Sequence, residues 1–122
     1  MQNHVLIVED DNDILELLKL YLESNNFLVY VAHDGIEAME LLEKEKINII
    51  IADIMMPRMN GYELIKKVRT NSRIPIIITS AKNMDSDKIL GLDIGADAYI
   101  TKPFNPLEVV AYVKALLRRY NE

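Results

Sequence analysis

A small doubly wound α/β sandwich around a parallel sheet is the fold class this chain predicts, on three observations. Short apolar, β-branched runs recur at residues 5–8, 27–32, 47–52, 74–79 and 98–101. Each is followed by a longer stretch with helical periodicity, and strand–helix alternation of this kind implies right-handed crossovers between parallel strands. Residues 5–8, 49–52 and 76–78 are apolar without interruption, as central strands buried on both faces should be.

The helical stretches follow in order. In the first, Ile14, Leu17, Leu18 and Tyr21 are expected to share one face, with Asp11 as N-cap. Asp34 and Glu37 predict a capping box ahead of Ile36, Leu41 and Leu42. A third helix is expected over 61–69, and a fourth over 85–94 with Gly95 at its C-cap. The fifth opens with Asn105-Pro106-Leu107-Glu108, a cap, an N1 proline and a Glu reaching back; Val109, Val113, Leu116 and Leu117 form its apolar face. No segment repeats and no linker composition appears. Five strands and five helices of these lengths make a flavodoxin-like sandwich.

Length and composition agree with one domain spanning residues 1–122. The chain is 50% hydrophobic and 27% charged with four Gly and four Pro, which excludes disorder and low complexity. Without cysteine there is no disulfide scaffold, zinc–thiolate site, iron–sulfur cluster or Cys nucleophile. A net charge of −5 makes the domain a poor nucleic-acid binder by itself. The longest apolar run, 27–32, falls far short of the roughly 20 residues a membrane span needs. The start, MQNHVLIVEDD, lacks the basic n-region of a signal peptide. A soluble, cytoplasmic protein with no membrane partner is expected.

Ligands of such sheets bind beyond the carboxyl ends of the strands. Strand one ends in Glu9-Asp10-Asp11, strand three in Asp53 and strand four in Thr79-Ser80, and strand five leads into Lys102. Asp11 is accounted for as a cap. The remaining carboxylates, gathered at one rim, need a cation to stay ionised together. An oxygen-only donor set suits a hard divalent ion, most naturally Mg²⁺. A lysine and a hydroxyl opposite supply what a phosphoryl group requires, so transfer of a phosphoryl group onto or off one of these carboxylates is the implied reaction. Neither GxxxxGKS nor GxGxxG is present, so a nucleotide has no cradle. His4 and His33 lack a second ligand at metal spacing, and Lys44, Lys46, Lys66 and Lys67 read as solvated helix faces. Residues 55–61 read as a loop with Pro57 and Gly61 as turn residues.

The motifs VLIVEDD, IIIADIMMPRMNGYEL, PIIITSA and GADAYITKPF occur in this order over essentially the whole chain. Together they resemble the receiver domain of bacterial two-component response regulators, most like the OmpR/PhoB group. The resemblance implies a sheet order of 2-1-3-4-5 and phosphorylation of Asp53 by a sensor histidine kinase. It makes Asp10 a direct Mg²⁺ ligand and Glu9 one through water, with Asp53 and the Met55 main-chain carbonyl completing the set. Ser80, 22 positions before Lys102, falls at the switch hydroxyl; Lys102 would bind a phosphoryl oxygen, with a cis bond to Pro103; Tyr99 is the aromatic that turns inward.

The group also implies a C-terminal winged-helix DNA-binding domain outside these residues, and a weak homodimer on phosphorylation. The chain is therefore expected to be a stand-alone receiver or part of a transcription factor. The dimer face would combine the fourth helical segment, the fifth strand and the fifth helical segment, pairing Lys88 with Glu108 and Asp97 with Arg119. Ala98 and Tyr112 replace a third ion pair and are expected to pack together. The resemblance also makes Met55 and Lys82 the two positions that flank the attacking water, which predicts slow loss of the phosphoryl group and no enzyme turnover.

Three rival readings stay in view. An aspartyl-phosphate phosphohydrolase would want an acid where Met55 stands. A flavodoxin-like cofactor binder would want a Ser/Thr/Gly-rich loop in place of Glu9-Asp10-Asp11. A phosphorylation-independent receiver would act as a protein-interaction module without using the site.

Overall fold

A computed structural model describes residues 2–81, 90 and 93–121. The five strands are β1 (His4–Val8), β2 (Leu28–Ala32), β3 (Ile49–Asp53), β4 (Ile76–Ala81) and β5 (Ala98–Lys102). All are parallel, in the order β2-β1-β3-β4-β5. The described helices are α1 (Asn12–Ser24), α2 (Gly35–Lys44), α3 (Gly61–Arg69) and α4 (Pro106–Tyr120), so α4 is the fifth helical segment of the sequence. The fourth segment, with Lys82 and Lys88, lies outside the described residues apart from its end; there Ile94 N–H donates to the Leu90 carbonyl and Gly95 takes a φ of 121°.

Alternation along each strand divides the core into two layers, because successive side chains point to opposite faces. Val5, Ile7, Ile49, Ile51, Ile77 and Ile100 pack with α1 and α4. Leu6, Val8, Ile50, Ala52, Ile76 and Ile78 pack on the other face with α2 and α3. Burial on both faces is why these strands carry almost no polar residues until their last positions.

Two helix faces differ from the periodicity reading. In α1 the buried residues are Leu15, Leu18 and Leu22, with Ile14 and Tyr21 packed at the edge, while Leu17 is 41% exposed. Leucines nearly surround this helix, so its apolar stripe has no unique phase in sequence. In α2 the stripe is turned as well: Gly35 and Ala38 are buried and Ile36 is 37% exposed. Ala38 packs into the core layer, and Gly35 lies under Met59, where a Cβ would stand 2.6 Å from Met59 Cβ.

Caps are formed largely as expected. Asp11 accepts the Asp13 and Ile14 amides. Asp34 accepts from Glu37 N–H, but the Glu37 carboxylate accepts from His33 N–H rather than completing a box at Asp34. The full reciprocal box belongs to Asn60 and Glu63 at the start of α3. Asn105 caps α4 through Leu107 N–H, while Glu108 gives the Asn105 carbonyl its backbone N–H rather than the expected reach of its side chain.

Candidate functional site

The strands run slightly further than the apolar runs, so Asp53 and Lys102 are the last residues of β3 and β5 rather than loop residues. β-strand rigidity therefore fixes both at their Cα atoms. Asp53 is in register with Thr79, and Ser80 with Thr101, which places Ser80 one step beyond Asp53 on the neighbouring strand. Glu9 follows β1 immediately, and its N–H donates to the Ala32 carbonyl.

These ends meet at one point. Lys102 Nζ donates to Glu9 Oε1 and to Asp53 Oδ2, both at 2.8 Å. The other oxygens are held by backbone: Asp11 N–H donates to Glu9 Oε2 at 3.1 Å, and Met55 N–H to Asp53 Oδ1 at 3.1 Å. Glu9, Asp53, Thr79 and Ser80 are buried, while Asp10 is exposed. Carboxylate oxygens of Glu9, Asp10 and Asp53 lie within 4.8 Å of one another.

The electrostatics follow from this crowding. Burial pushes the Glu9 carboxyl above its ordinary value, and the hydrogen bonds from Lys102 and the Asp11 amide only partly offset it. Burial pulls the Lys102 ammonium down, but hydrogen bonds to Asp53 and Glu9 outweigh it and hold the group above its ordinary value. The lysine is the positive charge that lets two buried carboxylates coexist. Hard oxygen donors, one of them on the exposed Asp10, form a donor set suited to a cation such as Mg²⁺.

Packing explains the loop that follows. A Cβ on Gly61 would stand 2.8 Å from the Asp53 carbonyl oxygen and 2.9 Å from Ile54 Cα. Only glycine lets α3 begin against the end of β3, where its N–H donates to the Ile54 carbonyl at 3.0 Å. Met55 is 70% exposed, and with Asp10, Met56, Pro57 and Asn60 it lines an open concavity of about 440 Å³. Lys102–Pro103 is a cis bond. Tyr99, opposite Ile78 in the sheet, is half-buried against the α2/α3 core layer.

The comparison with known proteins is decisive about family: the receiver-domain model described as "Response regulator receiver domain" matches residues 5–114. The chain belongs to the response regulator receiver domain family. The response regulator GtcR of Aneurinibacillus migulanus is 49% identical over 119 residues, covering 98% of this chain and 49% of that protein. Regulatory protein VanR of Enterococcus faecium is 45% identical over 122 residues, covering 100% and 53%. This receiver thus spans about half the length of the curated relatives it matches, which are OmpR/PhoB-type regulators. The receiver domain of the Francisella response regulator 1452 superposes with a TM-score of 0.92 at 38% identity, covering 98% of this chain and 99% of that one. The family is a phosphoacceptor signalling domain of two-component systems whose members bind Mg²⁺ at an acidic site and interact with histidine kinases.

The residues of the expected dimer face are distributed unevenly. Glu108, Tyr112 and Arg119 are exposed along α4. Asp97 is exposed too, but its Oδ2 already accepts from Arg69 Nη2 at 2.9 Å and from Ile76 N–H at 2.8 Å. Ala98 is 7% exposed and belongs to the core layer under α4, which leaves little side-chain surface for an apolar contact with Tyr112 of another copy. Sequence reasoning missed Arg69, whose guanidinium also donates to the Gly95 and Ile74 carbonyls. It also missed Arg58 as the partner of Asp34.

Among the described residues no helix is long and apolar enough to cross a membrane.

Proposed function

We propose that Asp53 is the phosphoacceptor of this receiver, taking a phosphoryl group from a sensor histidine kinase with Mg²⁺ bound by Asp10, Asp53, the Met55 main-chain carbonyl and, through water, Glu9. The observation that carries the reading is Lys102 bridging Glu9 and Asp53 at 2.8 Å each. The bridge keeps Asp53 at the focus of the site, with one oxygen oriented by Met55 N–H. In the transfer, a carboxylate oxygen of Asp53 forms the new bond to phosphorus as the bond to the donor breaks. The donor's leaving group carries away the electron pair. A bound Mg²⁺ would supply positive charge to the phosphoryl oxygens. Lys102 would then exchange its Asp53 carboxylate oxygen for a phosphoryl oxygen, and Ser80 is the hydroxyl that can follow it.

Phosphorylation adds charge and acceptor oxygens at the end of β3. Ser80 and Tyr99 relay this to the surface made by β5, α4 and the fourth helical segment, as a shift between two packings of one fold. The domain is a phosphoacceptor rather than an enzyme, since Met55 offers no side-chain group to activate water. Its working context is a cytoplasmic transcription regulator in which residues 1–122 are the receiver, a fused DNA-binding half contacts DNA, and phosphorylation promotes a weak homodimer. The twofold greater length of the curated relatives supports that context.

Incubation with Mg²⁺ and acetyl phosphate should add about 80 Da, one phosphoryl group, at Asp53. Beryllofluoride with Mg²⁺ should bind in its place. An Asp53→Asn protein that still acquires the adduct would overturn the assignment.

A further inference from the structure

Arg58 takes a φ of 64°, a left-handed conformation costly for a residue with a long side chain. What holds it there is on the opposite side of the β3–α3 loop. Arg58 Nε and Nη2 both approach Asp34 Oδ2 at 2.7 Å. Asp34 is buried, and its other oxygen caps α2 by accepting Glu37 N–H at 2.9 Å. The adjacent contact is equally tight: a Cβ on Gly35 would stand 2.6 Å from Met59 Cβ and 2.7 Å from the Met59 carbonyl oxygen. The middle of loop 54–60 is thus fastened to the N-terminus of α2 by an ion pair and by Met59 seated on Gly35.

Met55 itself has no comparable packing, although Ile54 and Met56 on either side of it pack into the α2/α3 core layer. The Met55 side chain is 70% exposed, and its backbone is tied to the site by the N–H bond to Asp53 Oδ1. The orientation of the Met55 peptide is therefore set by where the rest of the loop is anchored. One anchor is the pair of strand and helix contacts at Ile54 and Gly61. The others are Met59 seated on Gly35 and Arg58 on Asp34.

We propose that the Asp34–Arg58 ion pair is a positioning clamp that holds the Met55 main chain beside Asp53 and so sets the affinity for the divalent cation and the rate at which Asp53 is phosphorylated. The inference rests on the reading of Asp53 and Met55 given above. The hydrogen bonds and ion pair of Asp34 and Arg58 run to each other and to α2, so both act on the site through the loop. Strain at Arg58 is offset by the pair, which is the economy expected where a backbone outlier serves a site.

Two substitutions separate the clamp from plain stability. Arg58→Gly removes the ion pair and also relieves the backbone strain, because glycine adopts this φ freely. Asp34→Asn removes the charge yet retains an N-cap, since Asn caps as well as Asp. Mg²⁺ alone is titrated calorimetrically, the initial rate of adduct formation with acetyl phosphate is followed by mass, and melting temperature is recorded alongside. Each variant should bind Mg²⁺ about two- to fivefold more weakly, the most that an ion pair with one exposed member can transmit. Adduct formation should slow in parallel, Arg58→Lys should recover part of both, and the double variant should be no worse than either single one. Variants that melt lower but bind Mg²⁺ and react as the parent does would overturn the clamp alone. A parent protein that neither binds Mg²⁺ nor carries an adduct on Asp53 would overturn the site reading, and the clamp with it.

Discussion

Replacing Gly61 with alanine probes the junction on which the site stands. The new methyl carbon would lie 2.9 Å from Ile54 Cα and 2.8 Å from the Asp53 carbonyl oxygen. Both are backbone atoms of a buried strand end, so no side chain can swing aside. Reaching the ~3.5 Å at which carbon–carbon contacts become favourable requires α3 and β3 to separate by ~0.6 Å. Overpacking of that kind costs about 1–3 kcal/mol. Alanine recovers at most about 1 kcal/mol through helix propensity, and less at a helix start. A net loss of about 1–2 kcal/mol lowers the urea midpoint by about 0.5–1 M for a domain of this size. Equilibrium urea unfolding followed by circular dichroism measures it. Because the atom pushed is the carbonyl of Asp53 itself, the rate of adduct formation with acetyl phosphate should fall as well. A Gly61→Ala protein with an unchanged or higher midpoint would refute the reasoning, because the helix would then have room that the structure denies it.

The remaining expectations concern charge, water and association. Lys102→Met leaves Glu9 and Asp53 without their cation and should destabilise the metal-free protein by about 3 kcal/mol, the lower end for a broken buried pair since the lysine keeps some exposure. The Lys102 contribution is complete below its ordinary value of 10.5 and lost only as pH rises through its raised folded value, so urea midpoints at neutral pH should show the full deficit. Burial raises the Asp34 carboxyl, but the Glu37 amide and Arg58 outweigh it and hold the group below 3.8. Its pairing thus stabilises the fold above that value and is lost as pH falls through the lower folded one. Asp34→Asn should therefore cost about 0.5–1 kcal/mol at neutral pH, the scale of an ion pair with an exposed partner, and nothing once the acid limit is passed. Met55→Asn should speed loss of the phosphoryl group severalfold by orienting water, and a mass-resolved decay that is unchanged would place the limit elsewhere. With beryllofluoride and Mg²⁺ the protein should form a weak symmetric dimer, and sedimentation that shows a monomer at every concentration would count against it.

The sheet was legible because burial on both faces leaves a strong signal: runs of Ile and Val that stop where polar residues begin. Helix positions were legible through their caps, with Asp11, Asp34 and Asn105 each standing where its side chain accepts an amide. Helix faces were less so. In α1 the leucines at 15, 17, 18, 20 and 22 give no single stripe, and only contact with β1, β2 and α4 decides that Leu17 faces out. In α2, Ala38 packs into the core layer and Gly35 lies under Met59, so close neighbours rather than hydropathy bury these two while Ile36 is 37% exposed. The Asn60–Glu63 box was visible as an N-x-x-E pattern and could have been found by the same rule that found Asp34.

The site itself was legible for a topological reason. Parallel strands share one direction, so polar residues at their carboxyl ends must meet at one rim however far apart they lie in sequence; Glu9 and Lys102 are 93 positions apart and 2.8 Å distant. Strand polarity alone is enough to bring them together. Arg58 and Arg69 escape it because their roles depend on loop conformation. Arg58 reaches Asp34 only through a left-handed backbone that Arg rarely adopts, and no spacing rule connects the two residues. Arg69 gathers the carbonyls of Ile74 and Gly95 with Asp97, joining the end of α3 to the turn before β5. The same bond bears on the surface chemistry of Asp97. An acid already bound to an arginine and to the Ile76 amide offers a partner's Arg119 a largely compensated charge, so an ion pair formed there adds little.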